Sequence, residues 1–528
     1  MDEARRIRPG VYIFFFALIT AVVFLIHAPL FRLRFYWDEV GQFVPASLDL
    51  FQFGAWIPFT TVPNIHPPGV MAYLAGFWHL SGYSVVATRV AMLLLGSLGA
   101  LFTFLLAIEM GRETPGLPAF TALLFLVLSP LFVAQSMMAQ LDMPAMVFTT
   151  LGLLLFLQNR MRSAALACVA LVMAKETGLA LPALFGFLLL RERRWREALL
   201  FTAPLAPLAV WLFALHRATG HWGGNASFEQ YNAFYSLHPV RFGLALARRF
   251  YYLFVGSGHW VGTAAVVWVW RHTRLFRTRA WGVAGLFAAA HILLISAFGG
   301  AVLERYLLPL LPLLYIAFAA GLAAVPGAWR LVGTAMLTVM LIAANFLNPL
   351  YPFPWENNLG FASFVTLDQK AADYVADRYP GAVIATMFPL AGVLRRPDFG
   401  YVPHAMKIRE TEDFSLKSLR DLEKNPPDAL VVYSTTWDPL HLLENRWVRA
   451  FLVKYYGYER QATASEIVKM LPMHSAARWT MAGQWVEVFE SDSYRPQEIV
   501  VKGLAGAEGR ETGVLVENVD LREARRSQ

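Results

Sequence analysis

The chain has 528 residues, of which 57% are apolar, 14% aromatic and only 16% charged, and its mean hydropathy is +0.46. A soluble fold of this length cannot hide so much apolar surface, so the composition excludes a soluble globular protein and requires a polytopic α-helical membrane protein. The net charge of +8 sits mainly in short arginine-rich loops between apolar runs, Arg191-Glu192-Arg193-Arg194-Trp195-Arg196 and Arg271 to Arg279. That is the charge pattern of membrane topology rather than of nucleic-acid binding, and no nucleic-acid partner is expected.

In chain order, a basic start, Met1 to Arg8, leads into the apolar run Val11–Leu30. No small-residue cleavage site follows, so this reads as an uncleaved first transmembrane helix. Further apolar stretches long enough to cross about 30 Å of hydrocarbon, several of them short, fall near 84–108, 117–135, 144–158, 163–175, 177–190, 198–215, 250–270, 281–298, 306–325 and 329–347, about eleven in all. With the N-terminus inside, alternation puts Arg112, Arg160, Arg162, the two arginine clusters and Arg330 on the cytoplasmic face. The opposite face receives Asp38-Glu39, His66, Asp142, Lys175-Glu176, the His221-Trp222 loop and Glu304-Arg305. An odd number of spans sends the C-terminal segment to that same extracytoplasmic face. The one cysteine, Cys168, lies in an apolar run and rules out an intramolecular disulfide.

Near Pro349 the character changes, which divides the chain into a multi-span domain, 1–348, and a small extracytoplasmic α/β domain, 349–528. Asp368–Tyr379 and Leu416–Lys424 are expected as helices, and Ala382–Met387, Ala429–Tyr433 and Trp485–Glu490 as strands. The last twenty or so residues are charged and expected to fray.

The polar residues on the extracytoplasmic face are candidates for chemistry because ionisable groups beside a bilayer are costly unless they are solvated or paired. Asp38-Glu39 follows boundary aromatics; it is either a solvated loop pair or a base within reach of an acceptor hydroxyl. His66-Pro67-Pro68-Gly69 is a rigid elbow whose histidine is either a cap or a site residue. Asp142, two residues before Pro144, is either a helix N-cap or a second acid of the site. Lys175 either pairs internally with Glu176 or holds an anion such as a lipid phosphate. Arg305 either pairs with Glu304 or offers its planar fork to phosphate.

Taken in order, Trp37-Asp38-Glu39, His66-Pro67-Pro68-Gly69, Leu141-Asp142-Met143-Pro144, Lys175-Glu176-Thr177 and Arg305-Tyr306-Leu307-Leu308-Pro309 resemble the signature positions of GT-C glycosyltransferases. Within that superfamily they are most similar to the group of protein mannosyltransferases and aminoarabinose (lipid A) transferases, over roughly residues 10–320. The resemblance implies an inverting transferase that moves a sugar from a polyprenyl-phosphate donor to an envelope acceptor (lipid, glycan or protein). Its implied setting is a bacterial inner membrane, with the active site on the periplasmic side.

Asp38 and Asp142 would be catalytic, and Lys175 and Arg305 would hold the donor phosphate. Glu39, His66, Glu176 and Tyr306 would bind substrate or support the site. No cofactor is required by the sequence; a divalent metal is compatible with it, and no metal ligands are assigned. The C-terminal segment shows no β-trefoil insert of the kind found in eukaryotic members, which counts against protein O-mannosylation. The alternative of another class is a transporter or flippase of lipid-linked sugars, although no internal two-fold repeat is apparent.

Overall fold

Each apolar stretch anticipated above coincides with helix, but several helices are short or broken, as the computed structural model of residues 9–495 shows. The basic start, residues 1–8, and the charged last twenty or so residues expected to fray lie outside the described residues. In chain order the helices are α1 (Pro9–His27), α2 (Val44–Phe53), α3 (Gly69–Ser81), α4 (Val85–Gly111), α5 (Ala119–Leu128), α6 (Pro130–Gln135), α7 (Asp142–Leu157), α8 (Met161–Ala174), α9 (Ala180–Arg191), α10 (Trp195–Leu200) and α11 (Leu205–Thr219). There follow α12 (Ala226–Glu229), α13 (Pro239–Phe254), α14 (His259–His272), α15 (Arg279–Ala297), α16 (Leu311–Ala324) and α17 (Trp329–Ala344).

Among the described residues, five helical segments are long and apolar enough to cross a bilayer, or six if the bent pair α13–α14 is one span. Four more apolar helices, α5, α7, α8 and α17, are shorter. Against the expected count of about eleven, five or six segments reach spanning length, and the four short helices, at 10 to 16 residues and 1.5 Å per residue, fall short of the hydrocarbon thickness as straight helices.

The stretch 250–270 is corrected too. It is not one helix but straddles a 41° bend between α13 and α14. The cause lies in the sequence Gly256-Ser257-Gly258, where Ser257 and Gly258 take left-handed backbone angles of φ 54° and 84°. A second difference lies between the first two spans. Residues 31–84 are not a plain loop but carry a π-helical turn, Glu39–Phe43, and the helices α2 and α3.

The bundle sorts its loops to two ends. At one end Arg279 pairs with Glu192, Arg194 donates to Asn159, Trp281 donates to Thr114 and Gln158 donates to Glu109. The arginine-rich loops are thus gathered together, and Asp38, Asp142, Lys175 and Arg305 meet at the opposite end of the same helices.

Beyond α17 the chain turns through a short 3₁₀ turn, Trp355–Asn357, into α18 (Gly360–Arg378), which starts eight residues before the helix expected from Asp368. A five-stranded mixed sheet follows, built from β1 (Val383–Thr386), β2 (Lys407–Glu410), β3 (Ala429–Tyr433), β4 (Met473–Met481) and β5 (Gln484–Ser491) in the order β2-β1-β3-β5-β4. β1 runs parallel to β2 and β3, while β5 runs antiparallel to β3 and β4. All five residues of the central β3 are buried, which is why it read as a continuous apolar run. The helix expected over Leu416–Lys424 shrinks to a helical turn, Leu416–Leu419, and a 3₁₀ turn, Arg420–Leu422, because Pro426-Pro427 follows closely. One compact unit runs through to Tyr494, bundle and sheet together.

Candidate active site

The site begins with a forced turn. Trp37 has a left-handed backbone, φ 45°, which is costly for a bulky residue and is held by packing of its ring against Phe364 and Phe388. Asp38 follows as the cap of the turn Glu39–Phe43, with its side chain 20% exposed. From the other side of the cluster comes Arg305, in the 3₁₀ segment Glu304–Leu310, with a side chain only 5% exposed.

Arg305 is the hub. Its Nη2 pairs with Asp38 Oδ2, while its Nη1 donates to Gln140 Oε1 at 2.8 Å and to Glu356 Oε2 at 2.9 Å. Its Nε lies 3.3 Å from Asp142 Oδ2. The other oxygen of Asp142 accepts from Lys175 Nζ, which also sits 4.0 Å from the centroid of the Tyr306 ring. Asp142 makes no capping hydrogen bond, because Leu141 is the cap of α7; the acid spends its oxygens on the two cations instead. Lys175 likewise pairs across the site rather than with its neighbour Glu176. In all, three carboxylates, Asp38, Asp142 and Glu356, converge with two cations, Arg305 and Lys175. Burial of such groups is tolerable only because each has a partner.

The elbow is attached to this cluster through its backbone. Gly69 opens α3 so close to Met173 that a Cβ there would run into the Met173 carbonyl oxygen. The elbow is thereby pressed against the end of α8, two residues before Lys175. His66 Nδ1–H donates to Glu176 Oε2, 2.9 Å away, and its backbone N–H donates to Asn64 Oδ1.

His66 nevertheless borders a different space. A cavity of about 400 Å³ is lined by Gln42, Phe43, Trp56, Asn64, His66 and Trp211, whereas a second of about 270 Å³ is lined by Asp142, Lys175, Tyr306, His291 and Thr177. The structure therefore brings Asp38, Asp142, Lys175, Arg305 and Tyr306 together and sets the His66–Glu176 pair beside them, on the neighbouring cavity.

Glu39 is fully buried and is taken up by the equally buried Arg89 of α4. It also accepts from the backbone N–H groups of Tyr36 and Ala139. Arg89 in turn donates to the carbonyls of Arg34 and Met137. This pair ties the loop that carries Asp38 to the loop that leads to Asp142, so Glu39 supports the site from behind.

Two participants were missed in the sequence. Arg89 was absorbed into an apolar span, although a charge within one is itself a signal. Glu356 fell where a new domain was expected to begin; its signal is the sequence Pro354-Trp355-Glu356-Asn357, an acid next to a boundary aromatic like Trp37-Asp38. Burial pushes the Glu356 carboxyl up to about 7, and the nearby Asp38, Asp142 and Glu304 add to the effect while Arg305 opposes it. Among the described residues no group of three or more His, Cys, Asp or Glu side chains is arranged to hold a metal ion, and the three carboxylates are separated by the Arg305 guanidinium.

Residues 64–186 match the family model of dolichyl-phosphate-mannose-protein mannosyltransferases. That segment includes the His66 elbow, Asp142 and Lys175. The crystal structure of ArnT from Cupriavidus metallidurans bound to undecaprenyl phosphate superimposes with a TM-score of 0.54 at 17% identity, covering 91% of this chain and 98% of that one. The apo state of the same protein gives 0.50 at 15% identity, with the same coverage. At this identity the likeness speaks for the fold. No curated protein matches the chain by sequence. Over residues 64–186, which hold three of the five motifs, the chain is thus similar to the protein mannosyltransferase family; it carries helices long and apolar enough to cross a membrane, and over most of its length it shares the fold of ArnT.

Proposed function

We propose that the chain transfers a sugar from a polyprenyl-phosphate donor to an extracytoplasmic acceptor, with inversion at the anomeric carbon. The observation that carries this reading is the ion-pair chain Asp38–Arg305–Asp142–Lys175, which joins residues from four separate segments at the end of the bundle opposite the arginine-rich loops. By the positive-inside rule, that end faces away from the cytoplasm. Undecaprenyl phosphate bound to ArnT supports a lipid phosphate as the charged part of the donor.

The chemistry asks little of the protein. A prenyl phosphodiester leaves readily once its charge is met by cations, so Arg305 and Lys175 stabilise the leaving phosphate and no general acid is needed. Asp38, the most exposed member of the Arg305 cluster, is the base that takes the proton of the acceptor hydroxyl. Asp142 holds Lys175 and Arg305 in register with each other, and Tyr306 supports Lys175 through its ring.

The test is transfer by purified protein in liposomes from a panel of radiolabelled polyprenyl-phosphate sugars, with envelope lipids and glycans supplied as acceptors. Acceptor-dependent cleavage that is lost in Arg305→Ala supports the transferase. Movement of an intact donor across the bilayer, with no cleavage under any acceptor condition, would establish the flippase reading in its place.

A further inference from the structure

Arg305 already shares most of its fork with the side chains around it. One Nη2 hydrogen goes to Asp38, the Nη1 hydrogens go to Gln140 and Glu356, and Nε faces Asp142 without a hydrogen bond, which leaves the second Nη2 hydrogen and Nε as donors for a phosphate. An anionic ligand that uses them must still enter a site where acids outnumber cations three to two. The four partners of Arg305 are not equivalent. Asp142 is held by Lys175 as well as by Arg305. Asp38 is partly exposed, so it is open to solvation as the other acids are not. Gln140 is neutral.

Glu356 is different. It is 3% exposed, its one side-chain hydrogen bond is to Arg305, and its second oxygen, Oε1, is buried with no hydrogen-bond partner among the described residues. A buried carboxylate oxygen without a partner is expensive when ionised and much less so when the group is neutral.

We propose that Glu356 is a functional member of the donor site, one that must carry a proton for the lipid phosphate to bind beside it on Arg305. The inference rests on the assignment of Arg305 to the donor phosphate. With Glu356 ionised, an entering phosphodiester would make four anions against two cations. With Glu356 protonated, one fewer negative charge opposes the ligand, and the carboxylic acid can turn its O–H toward a phosphate oxygen. The charged groups facing it are Arg305 and Glu304 from the 3₁₀ segment, Asp38 from the first loop and Asp142 from α7; Glu304 is itself held by Arg248. Burial pushes the carboxyl up to about 7, so its state changes around neutral pH. The sign follows from linkage: a ligand that prefers the protonated form binds more tightly as pH falls and takes up a proton when it binds above that value.

The experiment uses the full chain in detergent micelles and a phosphodiester of a ten-carbon prenyl alcohol, whose single charge is constant across neutral pH. Titration calorimetry in buffers of different ionisation enthalpy reads both affinity and proton uptake. The wild type should bind about tenfold more weakly at pH 8 than at pH 6, and should take up close to one proton at pH 8. Glu356→Gln should bind at pH 8 about as tightly as the wild type does at pH 6, with a flat profile. The imidazoles bordering the site are His66, paired with Glu176 on the neighbouring cavity, and His291, on the cavity of Asp142 and Lys175, and His66→Gln and His291→Gln should each leave the slope intact.

Wild-type binding that is lost in Arg305→Ala but shows neither pH slope nor proton uptake would overturn the role of Glu356 and leave the donor assignment standing. A slope that persists in Glu356→Gln would do the same. Absence of binding at every pH would overturn both. The proton-uptake reading is made on the wild type, so it holds even if the Glu356 variant does not fold.

Discussion

The pair Glu39–Arg89 should be among the most sensitive structural features of the chain. Both side chains have no exposure, and Glu39 accepts four hydrogen bonds: two from Arg89 and one each from the backbones of Tyr36 and Ala139. Arg89→Met removes two of the four and leaves a carboxylate stranded where water does not reach. It also frees the carbonyls of Arg34 and Met137. Breaking a buried pair from one side costs roughly 3–5 kcal/mol, because the remaining charge is uncompensated. Adding Glu39→Gln removes that charge while keeping an acceptor for the Tyr36 and Ala139 N–H groups. The double variant should then lose only about 1–2 kcal/mol, the cost of the freed polar groups.

The assay is a double-mutant cycle on thermal unfolding in one detergent at one scan rate, since large membrane proteins commonly unfold irreversibly. Arg89→Met should also lower transfer, because the pair joins the two loops that present Asp38 and Asp142. A loss under about 1 kcal/mol in the single variant, or a double variant no more stable than Arg89→Met, would refute the brace.

Other substitutions separate the roles assigned within the site. Asp38→Asn should abolish transfer while leaving binding of a prenyl phosphodiester near wild type, so that kcat falls far more than KM rises; near-normal turnover would remove Asp38 as the base. Arg305→Lys should lose most activity, since a point charge cannot serve several acceptors as the planar fork does, and wild-type rates would show that charge alone suffices. Lys175→Ala should weaken donor affinity more than acceptor affinity, checked by KM for each substrate. Gly69→Ala should destabilise the fold by about 1–3 kcal/mol through the clash with the Met173 carbonyl, read as a lowered unfolding midpoint.

Much of this site could be read from sequence because the membrane makes polarity conspicuous. Asp38, Asp142, Lys175 and Arg305 each stand at the edge of an apolar run, where an unpaired charge would be costly, and the structure brings all four into one chain of ion pairs. What could not be read was which partner each would choose. Lys175 and Arg305 both have an acid as sequence neighbour, yet both pair across the site, because the backbone carries those neighbours elsewhere: Glu176 to His66, and Glu304 to Arg248. Long-range pairing of this kind has no local signature. The bend after α13 had one, Gly256-Ser257-Gly258, but it was outweighed by the apolar residues on either side. The edge strands β2 and β4 were missed because charged or alternating segments with one covered face resemble loops when only apolar runs are sought.

The way Arg305 is shared bears on the order of the proposed reaction. Asp38 is tied to the guanidinium of Arg305. In the proposed reaction the donor phosphate draws on the same guanidinium, so loading the donor loosens that pair and turns Asp38 toward the acceptor hydroxyl when an activated sugar is present. Glu356 sets the condition for loading and Asp38 answers to it, with Arg305 between them. Asp142 can do neither, since Lys175 holds its second oxygen. Three carboxyl groups on one guanidinium are thus separated in role by their other partners: solvent for Asp38, a second cation for Asp142, and no second hydrogen-bond partner among the described residues for Glu356.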